Sequence, residues 1–511
     1  RIREQYGNTS IYIPYGTGSY NQTNGKWPAD RLMHMYGGAL GYYNSYSWAC
    51  ITRATATVYG TDVCGNQRQD WLNSQFIIMW GWNPSEMRDG TNSEYFLKEA
   101  RKKGARIICI DPRMTMSAVA LADEWIAIRP GTDVALMSAM AWVMITEDLY
   151  DKDFVDKYCM GFDRSQMPEA YSNEESYKDY ILGIRDGQPK TPEWAENITS
   201  VPREDIVRIA REYATAESAV LYQGYGMQRR AYGEQVVRGG CVLAAITGNV
   251  GNAGGWASGI ALQAGGGPYW NVFPVLENPV RAQIPSFLWS EAVLRGPELT
   301  DKEGLVGIDK LPHGIKMIWA VASNAIVNQH ANINRTIDII RDTSKLEFFA
   351  VQDNFMTVTA KFADLVLPAC TQFETWGLED GWKYGEEVIL QPQILEPPWE
   401  TKSDYAICSE IARKLGIGDE YTLGRDEKQW VGALLDEYRE LRFPELPSLE
   451  EFEAKNLGVY SRPVDKPKVA FQDFRADPVA HPLPTASGKI EIFCEEMFSK
   501  NLPDEVPAIP K

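Results

Sequence analysis

The sequence predicts an α/β protein built on two parallel sheets, each covered by helices. Three observations predict it. Short apolar runs of strand length alternate with helical segments. One order of elements (strand, Asn loop, helix, strand, Asp) occurs twice with matched spacing. The apolar content, 44% over 511 residues, is ample for buried cores in about three domains.

In the first copy, Phe76–Met79 reads as a buried strand, followed by Trp80-Gly81-Trp82-Asn83. A helix follows, with Asn92 or Ser93 as its cap and Gly104 as its stop. A second strand, Arg106–Ile110, runs into Asp111-Pro112-Arg113. A third, Trp125–Ile128, ends at Arg129-Pro130-Gly131-Thr132-Asp133 and feeds a helix over Val134–Ile145. In the second copy, Lys316–Ala320 is the strand, Ser323-Asn324 the loop and Asn334–Asp342 the helix. Glu347–Val351 then leads to Gln352-Asp353, and Ala363-Asp364 opens the strand Leu365–Leu367. Asn83 to Asp111 is 28 residues and Asn324 to Asp353 is 29; Asp111 to Asp123 is 12 and Asp353 to Asp364 is 11.

Parallel sheets bind ligands at the carboxyl ends of their strands, where Asn83, Asp111, Asn324 and Asp353 fall. Amides suit phosphate and ribose oxygens, and a carboxylate suits a guanine edge, accepting from N1–H and N2–H₂. Asn and Asp are also ordinary loop and cap residues, so one copy would mean little. Two copies in register point to two nucleotide-like sites. Neither strand is followed by G-x-G-x-x-G, and no Walker A motif occurs, so these are not the usual dinucleotide or nucleoside triphosphate sites.

The net charge of −18 argues against nucleic-acid binding and a polybasic membrane mode. Sixteen Trp and 25 Tyr fit either a large core or a ring-lined pocket. Val134–Thr146 is too short to span a bilayer. Gly239–Leu276 carries no charge, but its many glycines read as a buried turn region. Eight scattered cysteines, none in C-x-x-C spacing, and four histidines disfavour a zinc site or a local iron–sulfur cluster. The cysteines do not decide the redox compartment.

Specific stretches carry a resemblance: Tyr15-Gly-Thr-Gly18, Ile110-Asp-Pro-Arg113, Asp123-Glu-Trp125, Arg129-Pro-Gly-Thr-Asp133, Thr247-Gly-Asn-Val-Gly251, Ala363-Asp-Leu-Val-Leu-Pro368 and Thr485-Ala-Ser-Gly-Lys-Ile-Glu491. In this order, and nearly end to end, the chain resembles catalytic subunits of the molybdopterin oxidoreductase family, of the dimethyl sulfoxide reductase type. The resemblance implies molybdenum held by two molybdopterin guanine dinucleotides, their guanosine ends on two pseudo-equivalent α/β domains. Asn83, Asp111, Arg113 and Asp133 would hold one end; Asn324, Asp353 and Asp364 the other. Gly224, Gln228 and Arg229 match a pterin-contacting loop, against the plain alternative of a solvated turn. Ser47, in Tyr46-Ser47, matches the side-chain metal ligand, with Ser45 and Cys50 as rivals; by itself Ser47 also fits a helix cap. Tyr15 and Thr17 match pocket positions near a substrate oxygen, although a hairpin turn explains them too.

The implied activity is oxygen-atom abstraction from an S-oxide or N-oxide in anaerobic respiration. Its partners are an iron–sulfur electron-transfer subunit and a membrane anchor, on the periplasmic face. A [4Fe-4S] motif and a C-terminal barrel, both expected in the full-length family, are not in this chain, which therefore reads as truncated at both ends. The expected domains are 1–66 with 313–480, an insertion at 67–300, a connector at 301–312 and a lead-in to the barrel at 481–511. Three alternatives stay open: the same cofactor with selenate, a catechol hydroxyl or another oxyanion, which pocket residues around Tyr15, Thr17 and Trp48 would discriminate; a metal-free structural subunit; and a nicotinamide or flavin dehydrogenase.

Overall fold

A computed structural model describes residues 1–16, 21–87, 92–259, 273–381, 386–441 and 443–511. The strands of the two parallel sheets are, in chain order, β1 (Ile11–Tyr12), β2 (Phe76–Trp80), β3 (Arg106–Ile110), β4 (Glu124–Ile126), β5 (Ala219–Gln223), β6 (Met317–Val321), β7 (Phe348–Asp353) and β8 (Leu365–Pro368). The helices that frame the sites are α1 (Ala49–Tyr59), α2 (Ser93–Lys102), α3 (Met116–Leu121), α4 (Asp133–Thr146), α5 (Gly233–Ile246), α6 (Ile333–Arg341), α7 (Asp404–Lys414) and α8 (Glu427–Leu441).

The chain divides into two compact units. Unit 1 comprises 1–46, 268–382 and 386–462; unit 2 comprises 47–267, 383–385 and 463–511. These boundaries differ from those read in the sequence, because burial crosses them. Leu305 and Leu311, both in the expected connector, lie in the unit 1 core with Ile284 and Trp289. Residues 481–511 belong to unit 2, where Ile490–Glu491 pairs with Cys159–Met160 and Arg238 holds the carbonyl of Pro507 at 2.8 Å.

Unit 1 carries the sheet β1-β6-β7-β8, all parallel. Ile318 and Ala320 of β6, with Phe349 and Val351 of β7, pack on one side against Trp289 and on Ile339 and Ile340 of α6. Trp319, Val321 and Ala350 pack on the other, against Leu32 and Met33 and against Tyr405 and Cys408 of α7. Side chains alternate along a strand, so both faces are buried. A three-stranded antiparallel sheet (Gly377–Asp380, Glu387–Gln391 and Val459–Ser461) joins this unit.

Unit 2 carries the parallel sheet β4-β3-β2-β5. β2 and β5 are buried at every position, the pattern of a strand covered on both faces. The two sheets are equivalent in order: β2, β3 and β4 correspond to β6, β7 and β8. The fourth strand comes from elsewhere in the chain in each case, β5 in one and β1 in the other.

One expectation is corrected. Gly239–Ile246, read as a turn region, is the buried second half of α5. Residues 260–272 of that stretch lie outside the described residues. Among the described residues, no helix is long and apolar enough to cross a membrane.

Candidate functional site

The two units build the same loop architecture at the carboxyl ends of their strands. After β2, the Gly81 N–H donates to Ile110 O at 2.8 Å; after β6, the Ala322 N–H donates to Gln352 O at 2.9 Å. Both turns need positive φ, +56° at Gly81 and +47° at Ala322. Next, Asn83 Oδ1 accepts from Ser117 Oγ at 2.7 Å, while Asn324 Oδ1 accepts from Thr359 N at 3.1 Å. The Ser117 and Thr359 hydroxyls in turn accept backbone donors of the Asn loops, from Ser85 N at 2.9 Å and Val327 N at 3.2 Å. After β3 and β7, Asp111 Oδ1 accepts from Arg113 N at 2.9 Å and Asp353 Oδ1 from Phe355 N at 3.1 Å. Each Asp thus closes its own turn and keeps its carboxylate at the strand end.

Asp364 does not belong with them. Its Oδ2 accepts from Phe349 N at 2.8 Å, at the amino end of β7, whereas Asp353 ends that strand. Asp123 does the same in unit 2, taking Ile107 N at 2.8 Å. The matched spacing of this Asp pair reflects a strand clamp, four residues (~13 Å) from the binding end.

In unit 1 the loops open onto a cavity of about 620 Å³, lined by Asn324, Gln352, Asp353, Phe355, Thr371 and Asp404 among others. Its size suits a nucleoside. Buried and half-buried carboxyls stand along its wall and behind it. Asp404 accepts from Gln352 Nε2 at 2.6 Å and Gly25 N at 2.7 Å, and Glu427 from Asn24 Nδ2 at 2.9 Å. Burial pushes Asp404 up to about 6 and Glu427 up to about 7, and it raises Glu379 as well. Together they fasten the 21–25 segment to the amino ends of α7 and α8. Tyr15 adjoins this region: its carbonyl accepts from Ser323 Oγ at 2.6 Å, and its ring packs on Tyr42 and Tyr46 with centroids 6.1 and 5.8 Å apart. Thr17 lies outside the described residues.

In unit 2, Asp133 is buried at the start of α4 and accepts from Trp80 Nε1 at 3.0 Å; burial raises its carboxyl, as it does that of Asp111. Arg113 is exposed and pairs with Glu86 at 3.1 Å. Gly224 follows β5 and packs against the β2 loop, donating to Trp80 O at 2.8 Å. Gln228 and Arg229 converge on one atom: Gln228 Nε2 and Arg229 Nε donate to the carbonyl of Ser47 at 2.7 and 2.9 Å. Gln228 is buried, which removes the solvated-turn explanation for it, while Arg229 is exposed.

Ser47 is half-buried in the turn before α1, whose capping position is Trp48, so Ser47 is not a helix cap. Ser45 is buried. Burial, and then the Glu234 carboxylate, push the Cys50 thiol up to about 11, so it is not a ready thiolate. The eight cysteines are unpaired. Among the described residues no cluster of three or more His, Cys, Asp or Glu is arranged to hold a metal.

Sequence reasoning missed Ser117 and Thr359, although each follows its Asn by a matched interval, 34 and 35 residues. It also missed Asp404 and Glu427, which no local motif marks.

The molybdopterin oxidoreductase family profile matches residues 1–414. The chain is 43% identical over 510 residues to the dimethyl sulfoxide reductase DmsA of Escherichia coli (strain K12), covering 97% of this chain and 62% of that protein. It is 30% identical over 541 residues to a trimethylamine-N-oxide reductase of Haemophilus influenzae, covering 99% and 63%. The chain thus spans less than two thirds of the length of these relatives. Acetylene hydratase from Pelobacter acetylenicus superposes with a TM-score of 0.63 at 21% identity, over 100% of this chain and 66% of that one, a likeness of fold.

Proposed function

This chain belongs to the molybdopterin oxidoreductase family, and we propose that it is the cofactor-holding part of a molybdenum enzyme that abstracts oxygen from an S-oxide or N-oxide. The family implies a molybdenum–pterin cofactor. The observation that carries the finer reading is the equivalence of the two Asn/Asp loop sets, which supports a cofactor with two nucleotide ends. The substrate class is supported by relatives named for a sulfoxide and an amine oxide.

The residues fit such a group. The unit 1 cavity is polar and acidic, with Asp353 as acceptor for the N–H donors of a guanine edge and Asn324 fixing the loop beside it. Asn83, Asp111 and Asp133 serve the other guanosine end, with Arg113 beside it as a cation for phosphate. Ser47 offers an alkoxide donor to the metal, and Gln228 and Arg229 hold its backbone in place. Tyr15 donates a hydrogen bond to the substrate oxygen. When bound, the molybdenum–pterin group supplies two-electron oxygen-atom chemistry, and the protein supplies position and electrostatics. The reading extends to a [4Fe-4S] cluster in the remainder of the full-length protein, an iron–sulfur partner subunit, a membrane anchor and a periplasmic location.

The test is direct. Full-length protein expressed anaerobically with molybdate should oxidise reduced viologen with dimethyl sulfoxide or trimethylamine N-oxide as acceptor. Metal-loaded protein that turns over neither would overturn the substrate class.

A further inference from the structure

We propose that His330 is a proton-supplying residue for this oxide reduction, acting through the Tyr46 hydroxyl. The inference rests on the function proposed above. It starts from a stoichiometric need: breaking the S–O bond of a sulfoxide takes two electrons and two protons, and releases the sulfide and water. In the assay the electrons come from two equivalents of reduced viologen. The protons need a route from solvent to the substrate oxygen.

Unit 1 contains such a route, on residues that neither cofactor end uses. His330 Nδ1 lies 3.4 Å from Tyr46 Oη, and its Nε2 lies 3.0 Å from Ser290 Oγ. The ring packs on Trp289, with centroids 5.0 Å apart. The Tyr46 ring lies against the ring of Tyr15, the group proposed to bond the substrate oxygen. His330 is half-buried, so its ring is partly open to water. A proton leaving Nδ1 passes to Oη as the Tyr46 hydroxyl gives its own proton to the substrate oxygen, and water re-protonates the imidazole; two such transfers supply the two protons of the released water.

The surroundings set the pH range. Burial, and then the charge of Arg335, lower the His330 pKa from its ordinary value, and Glu291 opposes them weakly. Glu291 is itself held by Arg295 and Arg335. Besides these, Tyr46 is the titratable group facing the ring. The imidazole is therefore neutral at pH 7 and becomes the stronger donor as pH falls.

The experiment uses the full-length, metal-loaded enzyme. With wild type, kcat for dimethyl sulfoxide should rise as pH falls, with a midpoint below 6.5, the ordinary histidine value. His330→Gln keeps a hydrogen-bonding side chain but cannot titrate. It should lower kcat by ~100-fold, the low end for general acid–base catalysis, abolish the acid rise and leave KM within about threefold. A variant with wild-type kcat and an unchanged profile would overturn the inference alone. Wild type that reduces no oxide would overturn the function and the inference with it. A second readout is independent of turnover. In protein carrying ¹³C-labelled histidine, the signal lost in His330→Gln should titrate below 6.5, and Tyr46→Phe should shift its midpoint. An unshifted midpoint would show no coupling in solution and overturn the route.

Discussion

Ser47→Ala in the full-length, metal-loaded enzyme should abolish sulfoxide reduction while the chain keeps its fold. Gln228 and Arg229 hold the Ser47 turn by its backbone: they bind the carbonyl oxygen, which alanine also has, and the α1 cap is Trp48. The substitution therefore removes a hydroxyl and leaves the turn. Loss of a partner outside the metal's own ligands typically costs ~10–100-fold, and loss of a ligand should exceed that. Turnover should fall by more than ~100-fold, with an unchanged circular dichroism spectrum. Cys50→Ala should stay active, because its thiol is raised and bonded toward Gly233 and Glu234. Full activity of Ser47→Ala would transfer the ligand to Ser45 or Cys50.

Gly224→Ala should damage unit 2 severely for a single added methyl. A Cβ at Gly224 would stand 1.8 Å from Gly81 O and 2.7 Å from Trp82 Cα. Both are backbone atoms, so no rotamer change relieves the clash. The Gly81 turn is already pinned by its bond to Ile110 O and by a positive φ. Overpacking usually costs ~1–3 kcal/mol, and this site lies at or above the top of that range. At ~2–4 °C per kcal/mol for a unit of this size, the midpoint of thermal unfolding should fall by about 6–12 °C. The displaced loop carries Trp82 and Asn83, so the variant should also lose nucleotide. A variant with wild-type melting and cofactor content would show that β5 does not meet the β2 loop this closely.

How much was legible follows from burial. β2 and β7 were readable as strands because both faces of each sheet are covered, which leaves an unbroken apolar run in the sequence. β1 was not, because two residues make no pattern, and β5 was missed because its run stands apart from the repeat it completes. The second half of α5 was misread from its glycines, which usually weaken a helix. Position 240 has to be small, because a Cβ there would meet the Gln223 and Ser258 side chains at 2.5–2.6 Å. Asn83, Asp111, Asn324 and Asp353 were visible as candidates because each lies at or just past the carboxyl end of a strand and the pattern repeats. The same repeat misled for Asp364, since spacing alone does not tell the two ends of a strand apart. Asp404 and Glu427 stand 379 and 403 residues from their partners Gly25 and Asn24, which puts them beyond any local pattern.

The central claim is that two equivalent loop sets hold the two ends of one metal cofactor. The measurement closest to it is the metal and guanine nucleotide content of purified full-length protein, after acid release of the nucleotides. The expected result is about two guanosines for each molybdenum, falling to about one when Asp353→Ala removes the unit 1 acceptor. A ratio of one in the wild-type protein, or nucleotide without molybdenum, would contradict the claim.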